Sequence, residues 1–160
     1  MSKIAGYKDD AYIRGKAPMT KREIRILTIS LLGINPGDVV VDIGAGTGGL
    51  TMEAAYAADQ GKVYAVEAKE TALELVKKNK EHFNADHVVI IPGKAPEALV
   101  EIKEPVDRVI IGGSGGNMEG LFQWCKANTR AGGRVIANFV TLENAAQATT
   151  LMNQYFENVE

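Results

Sequence analysis

The sequence predicts a doubly wound α/β domain built on a mainly parallel sheet. Two observations carry the prediction. Short β-branched apolar runs alternate with longer segments of helical periodicity, and the most apolar run, Val39-Val40-Val41, breaks off at the glycine cluster Gly44, Gly46, Gly48 and Gly49. A continuous β-branched run reads as a strand buried on both faces, which is the mark of a parallel sheet. Alternating strands and helices then imply right-handed crossovers with helices on both faces. Ligands of such sheets bind beyond the carboxyl ends of the strands, where the strand order reverses. At 160 residues the chain fits one domain, with 1–19 as an arm and 20–160 as the core.

Taken in order, residues 1–19 are polar and irregular, and read either as a loose terminus or as an ordered arm over the active site. Thr20-Lys21-Arg22-Glu23 matches a capping box, with threonine at the N-cap and glutamate three residues on. Ile24, Leu27, Leu31 and Leu32 follow at helical spacing, so this helix is expected to turn them inward until Gly33 stops it. Asn35-Pro36-Gly37-Asp38 is a turn into the first strand. Helix 50–58, strand 63–67, amphipathic helix 71–83 and strand 87–91 come next. Gly93-Lys94-Ala95-Pro96 leads into a short helix. Strand 106–111 ends at Gly112-Gly113-Ser114-Gly115-Gly116. Helix 118–128, a turn at Ala131-Gly132-Gly133, strand 134–140 and helix 142–155 complete the chain.

Composition narrows the partners. A formal net charge of −2 offers no global field for nucleic acid or a membrane surface. One cysteine, Cys125, has no partner for an internal disulfide, which suits a reducing compartment, and no leader or bilayer-length apolar run is visible. A soluble, cytoplasmic, single-domain protein without membrane or nucleic-acid partners is expected. His82 and His87 lack metal-ligand spacing, so no metal site is expected.

The strand–glycine–helix unit at 38–50 is a nucleotide-type site, because bare backbone lets a ligand approach and the helix start offers N–H groups with partial positive charge. Gly44, Gly46 and Gly49 satisfy G-x-G-x-x-G, and Glu67 at the end of the second strand is placed for a ribose diol. That pattern alone serves a nicotinamide dinucleotide as well as S-adenosyl-L-methionine. Three features favour the latter. Asp42 lies inside the strand two residues before the first glycine, where it can hold the loop or the amino-acid part of the ligand. A helix precedes the first strand, and the chain is too short for a separate substrate domain.

Asp42-Ile43-Gly44-Ala45-Gly46-Thr47-Gly48-Gly49 resembles motif I of the class I, Rossmann-like S-adenosyl-L-methionine-dependent methyltransferases. With Pro18-Met19-Thr20-Lys21-Arg22-Glu23-Ile24-Arg25, Gly93-Lys94-Ala95-Pro96-Glu97-Ala98-Leu99 and Gly112–Gly116, it resembles the decarboxylating precorrin methyltransferases of cobalamin biosynthesis. The resemblance runs from about Asp9 to the last residue. It implies C15 methylation of cobalt-precorrin-6B with loss of the ring C acetate carboxyl as carbon dioxide. It also implies cofactor contacts from Thr20, Gly44, Ala45, Gly46, Thr47, Gly48, Glu67 and Ala95, and a homotetramer. Lys94 departs from the family, which often has aspartate there, beside the adenine. The sequence ends where that fold expects two further strands, which normally form an antiparallel edge of the sheet; they are either truncated or absent. Other class I methyltransferases, acting on tRNA or protein, remain the alternative.

Methyl transfer to an electron-rich carbon needs chiefly alignment of the reactants, worth roughly 7–11 kcal/mol, so no dedicated nucleophile is expected. For a substrate rich in carboxylates, Arg14, Lys16, Arg22, Arg25 and the Ser114 loop with its backbone N–H groups are candidate orienting groups. Thr20 serves equally as a helix cap, and Arg22 and Arg25 equally as a solvated helix face.

Overall fold

The computed structural model describes residues 1–160. Strand β1 (Val39–Ile43) is buried at every position, as its run of β-branched side chains dictates. Around it the sheet runs β3 (Val88–Pro92), β2 (Lys62–Glu67), β1, β4 (Val106–Ile111), β5 (Thr129–Ala137), and every neighbouring pair is parallel. The order reverses at β1. The chain steps outward through β2 and β3, then returns to place β4 on the other side, so the loops after β1 and β4 flank the switch point.

Alternation along β1 divides the interior in two. Val40 faces a core shared with α1 (Arg22–Leu32), α2 (Gly49–Ala57) and α3 (Glu70–His82), through Ile29, Leu32, Met52, Ala54 and Val76. Val41 and Ile43 face the opposite core, closed by Leu121, Phe122 and Cys125 of α4 (Met118–Asn128) and Ala148 of α5 (Leu142–Tyr155). Both faces are covered, which is the doubly wound arrangement. The Val, Ile, Leu, Met and Phe side chains buried this completely each stabilise the fold by about 1.5–3 kcal/mol.

Three sequence expectations are corrected. Helix α1 turns Arg25, Thr28, Ile29 and Leu32 inward, whereas Ile24, Leu27 and Leu31 are 43%, 54% and 54% exposed. The capping box does not form: the N-cap is Lys21 and no side chain caps the helix. Near the C-terminus, Ala131-Gly132-Gly133 lies inside β5, where a register irregularity separates the Thr129↔Val106 pair from Arg134↔Arg108, and the strand ends at Ala137. The outer edge of β5 pairs with no further strand. No helix is long and apolar enough to cross a membrane.

The arm is ordered. Ser2 Oγ donates to the Ile29 carbonyl and accepts from the Ile34 N–H, both at 2.7 Å. A short 3-10 turn covers Asp9–Ala11, and Tyr12 is buried with its hydroxyl donating to the Gly49 carbonyl at 3.0 Å.

Candidate active site

The loop between β1 and α2 takes its shape from glycine. Gly44, Gly46 and Gly48 have φ of 74°, 59° and 87°, the left-handed region that other residues rarely enter. The Gly44 and Ala45 N–H groups donate to the Val66 carbonyl, which pins the loop to the end of β2. Helix α2 then starts with no side-chain cap, so its first N–H groups stay available to a ligand.

Two glycine loops meet at the switch point. A Cβ built on Gly44 would stand 2.9 Å from the Gly113 nitrogen, and Gly112 N–H donates to the Ile43 carbonyl at 2.8 Å. The Gly112–Gly116 loop lies in turn against the loop after β3. A Cβ on Gly115 would meet Lys94 Cε at 3.1 Å and the Ala95 carbonyl at 3.7 Å. Within the loop Ser114 is half-buried, and its hydroxyl accepts from Gly116 N–H at 3.4 Å. Ala95 is buried.

Glu67 closes the third side. One oxygen accepts from Gly46 N–H at 3.1 Å, and the other accepts from the N–H groups of Ala68 and Lys69 at 2.6 and 3.1 Å. Asp42 is buried and accepts from Thr51 Oγ1 at 2.6 Å, a bond that fixes α2 to β1. Burial pushes its carboxyl up to about 6; the Thr51 hydrogen bond opposes this and the nearby Glu67 charge adds to it. Thr47 is buried, and its hydroxyl has no hydrogen-bond partner.

The arm covers the remaining side. The Pro18 carbonyl lies 3.9 Å from a Cβ built on Gly46, and Met19 packs on Gly49. Thr20 is half-buried, and its carbonyl accepts from Arg25 Nη1 at 2.6 Å. Arg14 and Lys16 are exposed and form no ion pair. Arg22 donates through Nε to the Gly6 carbonyl at 2.7 Å.

Arg25 is the correction among the orienting candidates. Its side chain is fully buried beneath the arm, donating to Asp9 Oδ1 at 2.7 Å and to the Thr20 and Tyr7 carbonyls at 2.6 and 2.5 Å. The guanidinium stacks 4.8 Å over the Tyr12 ring. It therefore presents nothing to a substrate; it holds the arm on the core.

Three further residues escaped the sequence reading. Glu53 is fully buried in α2, accepts from Gly6 and Tyr7 N–H at 3.0 and 2.9 Å, and lies 3.5 Å from Arg25 Nε. Its signal was a lone carboxylate in an otherwise apolar helix. Asn79, also fully buried, bonds both Ile13 and Thr47 through its amide. Only its place one turn after Leu75 and Val76 hinted that it faces inward. Tyr12 gave no signal.

Two cavities lie outside the glycine loops. One of about 450 Å³ lies between the segment after β3 and α4, lined by Pro96, Val100 and Trp124, and another of about 240 Å³ lies between the arm, α2 and the turn before β3. Neither is lined by Gly44–Gly49 or by Gly112–Gly116. No three His, Cys, Asp or Glu side chains converge as metal ligands.

The uncapped helix start, the unpartnered Thr47 hydroxyl, the buried Asp42 and the carboxylate at the end of β2 fit a ligand that joins an amino acid to a nucleoside. The family model for the precorrin methyltransferase domain matches residues 10–159. A protein of Sulfurisphaera tokodaii named "Probable cobalt-precorrin-6B C(15)-methyltransferase (decarboxylating)" is 40% identical over 154 residues, which cover 95% of this chain and 80% of that one. Among solved structures, precorrin-6y C5,15-methyltransferase from Geobacter metallireducens superposes with a TM-score of 0.89 at 31% identity, covering 93% of this chain and 78% of that one. Precorrin 8W decarboxylase from Methanobacterium thermoautotrophicum gives 0.86 at 32% identity, covering 92% and 80%. With the glycine loops, Glu67 and the ordered arm in the same chain, these likenesses settle the lineage: the protein belongs to the precorrin methyltransferase family.

Proposed function

We propose that this chain methylates cobalt-precorrin-6B at C15, with S-adenosyl-L-methionine as methyl donor, and removes the ring C acetate carboxyl as carbon dioxide. The observation that carries the reading is the meeting of Gly44 and Gly113 at the switch point, with Glu67 on one flank and the arm on the other. A nucleoside-linked methyl donor bound on this side would turn its far end toward the Gly112–Gly116 loop.

When bound, the donor supplies an electrophilic methyl group on a sulfonium. Thr47, the Gly44–Gly48 backbone and the first N–H groups of α2 hold its carboxylate end, and Asp42 faces its ammonium. Glu67 accepts from the ribose hydroxyls, and Thr20 and Ala95 close over the remainder. The Gly112–Gly116 N–H groups, Ser114, Arg14 and Arg22 hold substrate carboxylates so that the acceptor carbon lies in line. No side chain needs to act as nucleophile, because the conjugated tetrapyrrole accepts the electron pair released with carbon dioxide. A homotetramer belongs to the same reading. The exposed Leu27 and Leu31 support association between copies, and light scattering on the purified protein checks it.

Incubation with cobalt-precorrin-6B and S-adenosyl-L-methionine, followed by mass spectrometry, tests the activity. The expected product gains one methyl group and loses one carbon dioxide. Methylation without decarboxylation would confine the chain to transfer, and an unchanged substrate would sink the assignment.

A further inference from the structure

Asn79 sits where α3 meets two other segments, and its amide serves both of them. Oδ1 accepts from Ile13 N–H at 2.8 Å, while Nδ2 donates to the Ile13 carbonyl at 3.1 Å and to the Thr47 carbonyl at 2.9 Å. The amide thus pairs with both backbone groups of one arm residue and, through the same nitrogen, with the glycine loop. It is fully buried, so no water competes for these bonds.

From that anchor the arm climbs along α3 toward the carboxyl edge of the sheet. A Cβ on Gly15 would touch Leu75 Cδ1 at 3.1 Å, one helical turn before Asn79, and the Pro18 carbonyl reaches Gly46. Residues 13–18 therefore form a strap pinned at Asn79, at Leu75 and at the glycine loop. Between the pins it carries Arg14 and Lys16, two exposed cations that form no ion pair.

We propose that Asn79 is a positioning residue that couples the two binding events: a methyl donor filling the Gly44–Gly48 loop fixes Thr47, Asn79 transmits this to Ile13, and the strap sets Arg14 and Lys16 for the carboxylates of the acceptor. The proposal rests on the function given above and adds the route between its two ligands. Asn79 is fully buried and its amide bonds only Ile13 and Thr47, so its effect runs through those groups. A shared, fully bonded amide is a physical link of the kind that such coupling needs.

Hydrogen exchange resolved by residue, with S-adenosylhomocysteine as the probe, tests this on the whole chain. Binding should slow exchange at Gly46–Gly48 and, by roughly fivefold or more as for a typical intersite coupling, at the Ile13 amide. Protection of the loop with Ile13 unchanged would overturn the coupling while leaving the donor site intact. Absence of protection anywhere, with no heat of binding, would overturn the donor site itself and the coupling with it. Asn79→Asp, which keeps the acceptor and removes both donated bonds, should leave protection of the loop but abolish it at Ile13. The same variant should raise the KM for the tetrapyrrole more than it lowers kcat; equal protection and an unchanged KM would count against the link. The wild-type measurement decides the matter even where the variant fails to fold.

Discussion

Gly44 and Gly113 come from different loops, yet a Cβ on the first would lie 2.9 Å from the nitrogen and 3.3 Å from the Cα of the second. Backbone blocks that position and cannot swing aside as a side chain would. Gly44 also has φ of 74°. Gly44→Ala therefore combines backbone strain of about 1–3 kcal/mol with separation of the two loops. The expected result is a lower urea midpoint and at least a tenfold weaker affinity for S-adenosylhomocysteine in calorimetry. Gly46→Ala is the control, since its Cβ would meet only the Pro18 carbonyl, at 3.9 Å. It should lose less stability than Gly44→Ala, and equal losses would contradict the role given to Gly113.

Arg25 and Glu53 make a second prediction, about stability. Both side chains are fully buried and 3.5 Å apart, and between them they hold Gly6, Tyr7, Asp9 and Thr20. Removing one partner leaves the other charge buried and unpaired, at a cost of about 3–5 kcal/mol. Arg25→Leu should lower unfolding stability by that amount in urea titration and expose the arm to proteolysis before the core. A variant as stable as wild type, with its arm still resistant, would mean that the clamp is dispensable.

These two cases mark what was legible in the sequence. The sheet, its helices and the glycine loop were readable because β-branched runs, helical spacing and glycine each act locally. The site residues Glu67, Asp42 and Gly113 were placed by the rule that parallel sheets bind ligands at one edge, and the structure brings them there. Helix α1 was misread because periodicity counts apolar side chains. It has no means of seeing that Arg25 can be buried when its N–H donors are met by acceptors on Tyr7 and Asp9, well before it in the chain. With Arg25 inside, the stripe of Ile24, Leu27 and Leu31 is rotated outward. The order of the arm depends on Glu53 and Asn79, whose partners lie 46 and 66 residues away, beyond any local pattern.

Glu67 should decide donor affinity. Its two oxygens are engaged by Gly46, Ala68 and Lys69 N–H groups, which leave lone pairs for ribose hydroxyls and hold the carboxylate at the end of β2. Glu67→Gln replaces one acceptor oxygen by a donor facing these N–H groups. Loss of a charge-assisted hydrogen bond costs about 1.5–3 kcal/mol. Affinity for S-adenosylhomocysteine should therefore fall between tenfold and somewhat over a hundredfold, with a smaller drop in the urea midpoint from the donor now facing these N–H groups. A drop in the midpoint with unchanged affinity would make Glu67 a loop staple only.

Asp42 sets the pH dependence. Its carboxyl ionises at about 6 in the folded protein, chiefly because burial penalises the charge, against 3.8 when unperturbed. Between those two values the folded chain binds more protons than the unfolded one, so the Asp42 contribution to stability falls as pH rises through this window. Above pH 6 the folded state carries a buried carboxylate at a cost of roughly 3 kcal/mol, from about 1.36 kcal/mol per pH unit. Asp42→Asn removes that cost and keeps an oxygen for Thr51 Oγ1. Urea titrations should find the variant more stable than wild type at pH 8 and not at pH 4. Donor binding should move the other way: wild-type affinity weakens below pH 6 as Asp42 takes up its proton, and the variant binds weakly throughout. A variant no more stable at pH 8 would show that the charge is compensated within the fold, whereas one that gains stability and still binds the donor normally would remove Asp42 from the site.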